Sequence, residues 1–179
     1  MKRLFFATLT VIFLFSCSPK IIPLKGTYPP PPIEISSTKS FDEVWDKLID
    51  LFAQKGLSIR IIDRSSGLII SSKSALLYTI ENKNGSLKDP TAYIVVPKYY
   101  NAGVKKYYPV TMLGIGKEYP VIGDWNVRIK KSSNGTIINV NIVNVEVDMP
   151  MSYKIKKPIE AVKYKTTGVF ENLIADIIK

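Results

Sequence analysis

Carboxylates, lysines and tyrosines are the groups with which this chain could do chemistry, because it contains no histidine. Without imidazole, the usual general base near neutral pH and the commonest protein ligand for zinc are both missing. Cys17 is the single cysteine, so no intramolecular disulfide can form. Asp63 and Asp124 could pair as acid and base, as two carboxylates do in glycoside hydrolysis. Each of them stands where turns ordinarily recruit aspartate to bond the backbone, and that is the reading adopted. Gly114-Ile115-Gly116-Lys117 lacks the long glycine spacing and the following Ser or Thr of a phosphate loop, so it is taken as a plain loop. What remains are contact residues. Lys98-Tyr99-Tyr100 is echoed by Lys105-Lys106-Tyr107-Tyr108, and tyrosine combines an apolar body with a polar tip, so these segments suit a partner or anionic headgroups. A β-hairpin whose tyrosines pack across strands is the other reading of the same residues. Trp125 is a further candidate contact.

The elements that must carry these residues centre on Ser40 to Lys73. Phe41, Val44, Trp45, Leu48, Leu51 and Phe52 recur every three or four residues, leaving Asp42, Asp46, Lys47 and Asp50 to face water on the other side of a helix. Ser40 and Glu43 are spaced for a capping box, and Gly56 for a left-handed stop. Leu57, Ile59 and Ile61 alternate with Ser58 and Arg60 as in a half-buried strand, Arg64-Ser65-Ser66-Gly67 turns the chain, and Leu68, Ile70 and Ser72 return. Trp45 is expected as a core anchor. Ile33 to Ser37 is expected as a short first strand, and Ala75 to Ile80 and Ala92 to Val96 as strands on either side of a turn at residues 81–86. Farther on, Trp125, Val127 and Ile129 alternate into Ser133-Asn134-Gly135, a strong hairpin signal. In the strand that follows, the apolar set changes parity at Ile142 and Val143, which predicts a bulge there. Beyond Pro150 and Pro158, Val169, Phe170, Leu173, Ile174, Ile177 and Ile178 make a C-terminal helix capped at Thr167 or Gly168. The expectation is one α+β domain over 36–179, a curved antiparallel sheet with both helices on one face.

Residues 1–16 begin with Lys2 and Arg3 and continue as an apolar run from Leu4 to Phe15, shorter than the ~20 residues that span a bilayer and typical of a secretory leader. Removing the two leader cations lowers the formal charge from +10 to +10 − 2 = +8. A basic surface outside the cytoplasm favours anionic lipid headgroups, acidic glycans or an acidic partner over nucleic acid, or simply keeps the domain dissolved. Leu14-Phe15-Ser16-Cys17 resembles the lipobox of bacterial lipoproteins. That resemblance implies a diacylglycerol thioether and an N-acyl chain at Cys17, cleavage before it, and a lipid anchor that holds the domain on a membrane. A core cysteine after an ordinary signal peptide, or a short membrane anchor, is the other reading. Because Ser18 follows the cysteine in place of aspartate, the resemblance implies the outer membrane; the periplasmic face is the expected side, with the surface-exposed face the other reading. Residues 17–35 then form a Pro-rich tether; its stretch from Ser18 to Pro32, in polyproline geometry, would reach roughly 45 Å.

Phe41-Asp42-Glu43-Val44-Trp45, Lys55-Gly56-Leu57, Asp63-Arg64-Ser65-Ser66-Gly67-Leu68-Ile69 and Thr166-Thr167-Gly168-Val169-Phe170-Glu171 together resemble the repeated domain of BamC-like (NlpB/DapX) lipoproteins. The resemblance implies a helix-grip fold and a non-enzymatic accessory role in outer-membrane protein assembly, with another envelope protein as partner and no cofactor beyond the lipid. The alternative expectation is a lipoprotein that binds a lipid or other apolar ligand between helix and sheet, lined by Trp45, Trp125 and tyrosines.

Overall fold

The computed structural model describes residues 20–101, 106–109, 120–148 and 164–179. The leader, Cys17, Lys105, the 114–117 loop, Pro150 and Pro158 lie outside the described residues.

Helix α1 (Phe41–Gln54) starts at a complete capping box: the Ser40 hydroxyl accepts the Glu43 amide at 3.3 Å and the Glu43 carboxylate accepts the Ser40 amide at 3.0 Å. A cap of this kind contributes about 1 kcal/mol. After the helix, Gly56 adopts φ +64, the left-handed conformation that lets the chain leave. The face carrying Val44, Trp45, Leu48, Leu51 and Phe52 is buried, and Trp45 is the core anchor its position predicts.

That face covers a sheet built on one long hairpin. Strands β10 (Val121–Ser132) and β11 (Gly135–Val147) pair antiparallel, joined by the two-residue turn Ser133-Asn134. Their register sets Trp125 opposite Ile142, Val127 opposite Val140 and Ile129 opposite Ile138, so alternation brings all six apolar side chains to the helix side. Around this pair stand β2 (Ile33–Ser37), β3 (Ile59–Asp63), β4 (Leu68–Ser71) and β5 (Ser74–Leu76), in the order β2-β11-β10-β4-β3, with β5 also against β10. Helix α2 (Val169–Ile177) completes the same core, bringing Phe170, Ile174 and Ile178 against α1 and β2. Gly168, at φ 84, caps it. The domain is α+β, mostly antiparallel, with two helices among the described residues.

Two smaller sheets flank this one. Strands β1 (Lys20–Ile22), β8 (Lys98–Asn101) and β9 (Lys106–Pro109) form one, in the order β1-β8-β9; β6 (Tyr78–Thr79), β7 (Ile94–Val95) and β12 (Lys165–Thr166) form the other, in the order β12-β7-β6.

Several expectations are corrected here. The strand expected over Ala75 to Ile80 is broken at Leu77 into β5 and β6, and β6 pairs β7 in parallel, so the sheet system is not wholly antiparallel. In β4 it is Ile69 and Ser71 that are buried, whereas Leu68 and Ile70 are half-buried. Apolar residues fall on both parities of Leu-Ile-Ile, so alternation there does not choose a face. The β11 bulge falls one step beyond Ile142 and Val143: Gly123 stands against both Asn144 and Val145, and Asn144 has φ 54. Finally, the chain is already strand from Lys20, and the Thr166 amide donates to Pro29 O at 3.3 Å. Most of the supposed spacer is therefore bound to the domain.

Glu171 is an ionisable group buried beside the apolar core. It is 4% exposed, and the Thr166 hydroxyl donates to its Oε1 at 2.7 Å while Oε2 has no hydrogen-bond partner among the described residues. Burial raises its carboxyl above the ordinary value of 4.5, against the lowering effect of Thr166. The folded state thus holds this proton more tightly than the unfolded chain does. Its contribution to stability is complete below the unfolded value and is lost as pH rises through the raised folded one. Glu171→Gln keeps the uncharged shape, so urea unfolding is expected to find the variant more stable than wild type at pH 8 and equal to it near pH 4. Equal losses at both pH values would assign the titration elsewhere.

Candidate binding groove

Glu81 organises the surface with the best claim to function. The chain turns tightly after it: the Asn82 amide donates to Ser86 O at 2.7 Å, the Gly85 amide to Asn82 O at 3.1 Å, and Gly85 adopts φ +89. This turn leaves the Glu81 side chain inside, 7% exposed. Both its oxygens accept backbone amides of the N-terminal segment, Oε2 from Lys25 and Oε1 from Gly26, each at 2.8 Å. The Lys25 ammonium donates to Lys83 O. Tyr28, whose hydroxyl donates to Gly85 O at 3.3 Å, has its phenol raised above the ordinary value by burial and by the Glu81 carboxylate.

The clamp fixes residues 22–25 against the Glu81 turn, and β1 pairing fixes Ile22 beside Lys98 of β8. Between them lies a groove of about 320 Å³, walled by Ile22, Pro23, Leu24 and Val96 and rimmed by Lys25, Lys83 and Lys98. Its volume is at the lower end for small-molecule sites. Apolar walls under ammonium groups suit an aliphatic segment that ends in, or borders, a negative charge. Nothing among its lining residues is arranged as a nucleophile with a base.

Among the described residues the predicted contacts Tyr99, Tyr100, Lys106, Tyr107 and Tyr108 stand on β8 and β9, and none of them lines this groove. Lys98 is shared by the groove and by the Lys-Tyr hairpin, in which Tyr99 stands opposite Tyr108, Tyr100 opposite Tyr107 and Asn101 opposite Lys106. The hairpin and its cross-strand tyrosine register match the sequence reading. Trp125 does not belong with them: it is 0% exposed, stacked on Phe170 at 3.9 Å with Tyr93 edge-on at 5.7 Å. As a surface contact it is excluded by burial. The space expected to hold a ligand between α1 and the sheet is occupied around it by Phe52, Leu48, Val127 and Ile174.

The two aspartates are apart. Asp63 is level with Leu68 and Arg128, four positions along β10 from Asp124, which at about 3.3 Å per residue is ~13 Å along the strand alone. Paired glycosidase carboxylates stand no more than about 9.5 Å apart. Asp63 accepts the amide and hydroxyl of Ser65 at 2.9 and 2.6 Å and the hydroxyl of Ser66 at 2.8 Å, and these bonds hold its carboxyl at about 2. Asp124, 5% exposed, accepts the Lys73 amide at 2.7 Å, Asn144 Nδ2 at 2.8 Å and the Arg60 guanidinium at 3.2 Å. Burial alone would raise this carboxyl, yet Asn144, the Lys73 amide and the Arg60 charge outweigh it and the net shift is downward. Both carboxylates are committed to backbone and neighbours.

No family model matches the chain, and no curated protein matches it. No helix of the described residues is long and apolar enough to cross a membrane.

Glu81 was missed by sequence reasoning, because its partners lie 55 and 56 residues away. The one signal was an acid in a turn-rich segment whose neighbours are otherwise polar.

Proposed function

We propose that this chain is a lipid-anchored lipoprotein of the bacterial outer membrane, acting without catalysis as an interaction module for another envelope protein. What carries the proposal is a juxtaposition: the groove and the Lys-Tyr hairpin share Lys98, and both border a strand that begins three residues after Cys17. The similarity of Leu14-Phe15-Ser16-Cys17 to a lipobox supports the anchor. A helix packed on a mostly antiparallel sheet supports the helix-grip, BamC-like reading of the fold. In this reading the groove receives an acidic-apolar segment of the partner, with aliphatic side chains against Ile22, Leu24 and Val96 and a carboxylate near Lys83 and Lys98.

A photo-crosslinking residue at Lys83 in intact cells, at native expression, tests it. The expected product is one discrete adduct that is absent when the same residue stands at Ser133, on the β10–β11 turn, which does not line the groove. Recovery of monomer alone from both positions contradicts the interaction module. The groove also supports a narrower second reading, a small apolar acid as ligand, and native mass spectrometry of the purified protein would find that ligand bound.

A further inference from the structure

We infer that an open cleft between the start of α1 and the β3–β4 turn binds an acidic saccharide, a hydroxyl-rich ring that carries a carboxylate. The cleft measures about 620 Å³, within the range of small-molecule sites, and it shares no residue with the groove at Glu81. It exists because β4 stops short of the end of β10. The last pair between them is Arg128 with Leu68, after which the Ile129 amide donates to Gly67 O at 2.8 Å and the chain of the turn leaves. Hydrogen-bonding sides alternate along an antiparallel strand, so the Lys131 amide faces the same way as that of Ile129, into the space the turn has left. Side chains alternate too, and Lys131 follows Trp125, Val127 and Ile129 on the α1 side. There its ammonium stands 5.7 Å from the centre of the Phe41 ring, an attraction that holds the charge over the cleft.

Charges and hydroxyls of the lining select the class of ligand. The charged side chains around the cleft are Asp42, Arg64, Lys130 and Lys131. Arg64 and Asp42 pair at 2.7 Å and offset each other. Lys130 and Lys131 are exposed and have no ion pair among the described residues, so the uncompensated charge is positive and draws an anion. The serines of the turn set a second requirement. The Ser65 hydroxyl donates to Asp63 at 2.6 Å and the Ser66 hydroxyl at 2.8 Å, and a carboxyl held at about 2 is ionised near neutral pH and can only accept. Each hydroxyl has one proton, already committed, and offers lone pairs to a ligand that donates. A uronic acid brings a carboxylate for the lysines and ring hydroxyls for the serines; inorganic phosphate meets only the first need.

The test titrates the full chain with trigalacturonate, with maltotriose as the neutral saccharide and with inorganic phosphate, and follows backbone amide shifts by NMR. Trigalacturonate is expected to move the amides of Ser65 to Gly67 and of Lys130 and Lys131, and to bind at least about fivefold more tightly than either control. Lys131→Gln is expected to weaken it about fivefold, and Lys130→Gln with Lys131→Gln about tenfold or more, whereas Lys131→Arg keeps the charge and the affinity. Both lysines are exposed, so thermal melts of these variants should match wild type. Absence of shifts at those amides overturns the site, as does an affinity unchanged in the double variant. Equal binding of maltotriose overturns the role of charge, and equal binding of phosphate reduces the cleft to a patch of cations; either result contradicts an acidic-saccharide site.

Discussion

Asp124→Ala is expected to cost about 3 kcal/mol, because a buried carboxylate that satisfies a backbone amide, a side-chain amide and a guanidinium leaves all three short of a partner. The site is where three irregularities of the sheet converge. Arg60 is the extra residue of a bulge between Ile59 and Ile61, Asn144 belongs to the bulge of β11, and Lys73 lies in the corner between β4 and β5. Lys73 and Asn144 both have positive φ, 32 and 54, a conformation that costs non-glycine residues about 1–2 kcal/mol and persists when surrounding bonds hold it. The bonds from Asp124 hold both. For a domain of this size, 3 kcal/mol corresponds to a fall in Tm of roughly 6–12 °C. Arg60→Ala is expected to cost much less, under about 1 kcal/mol, because its side chain is 48% exposed and water replaces the carboxylate. Since the Asp124 carboxyl is held below its ordinary value, its contribution is present above pH ~4 and is lost as pH falls through the depressed folded value. Thermal melts of wild type and variant should therefore converge toward acid pH; a constant gap down to pH 2 would mean that the charge is irrelevant.

Gly67→Ala should be as damaging for a different reason. A Cβ there would lie 2.1 Å from the carbonyl oxygen of Ile129, at φ +69. The backbone cannot step aside freely, since Gly67 O accepts the Ile129 amide at 2.8 Å. Relief of the clash would break the contact of the β3–β4 turn with β10, at an expected cost of about 3 kcal/mol or more. Gly56 provides the control: it has nearly the same φ, +64, with nothing among the described residues within 4 Å of an added Cβ. Gly56→Ala is expected to lose only the conformational term, about 1–2 kcal/mol. Chemical denaturation of the two variants separates collision from backbone strain, and equal losses would show that the Ile129 carbonyl yields.

Local pattern carried far in this sequence. Helix α1, its capping box, the turn at Gly67 and the long β10–β11 hairpin are all specified by residues within a few positions of one another, and the structure has each of them. The Lys-Tyr hairpin was legible for the same reason. What escaped depends on distance along the chain. A three-residue strand inside a proline-rich segment has no period to recognise, and β1 exists only because Tyr100 to Lys98 stand beside it. Asp124 looked like a turn aspartate because its partners at 51 and 64 residues' separation leave no trace around it. The groove was hidden likewise, assembled as it is from residues 22–25, 81–83, Val96 and Lys98. Trp125 misled in the opposite direction: an aromatic on an alternating strand belongs with equal ease to a core or a contact surface, and only its neighbours Tyr93 and Phe170 decide.

The proposed function rests on acylation of Cys17, and uptake of radiolabelled palmitate tests it most directly. Label is expected in the wild-type chain and not in Cys17→Ala, with the variant lost from the outer-membrane fraction. A wild-type chain that takes up no label, or a variant that takes up as much, contradicts the account.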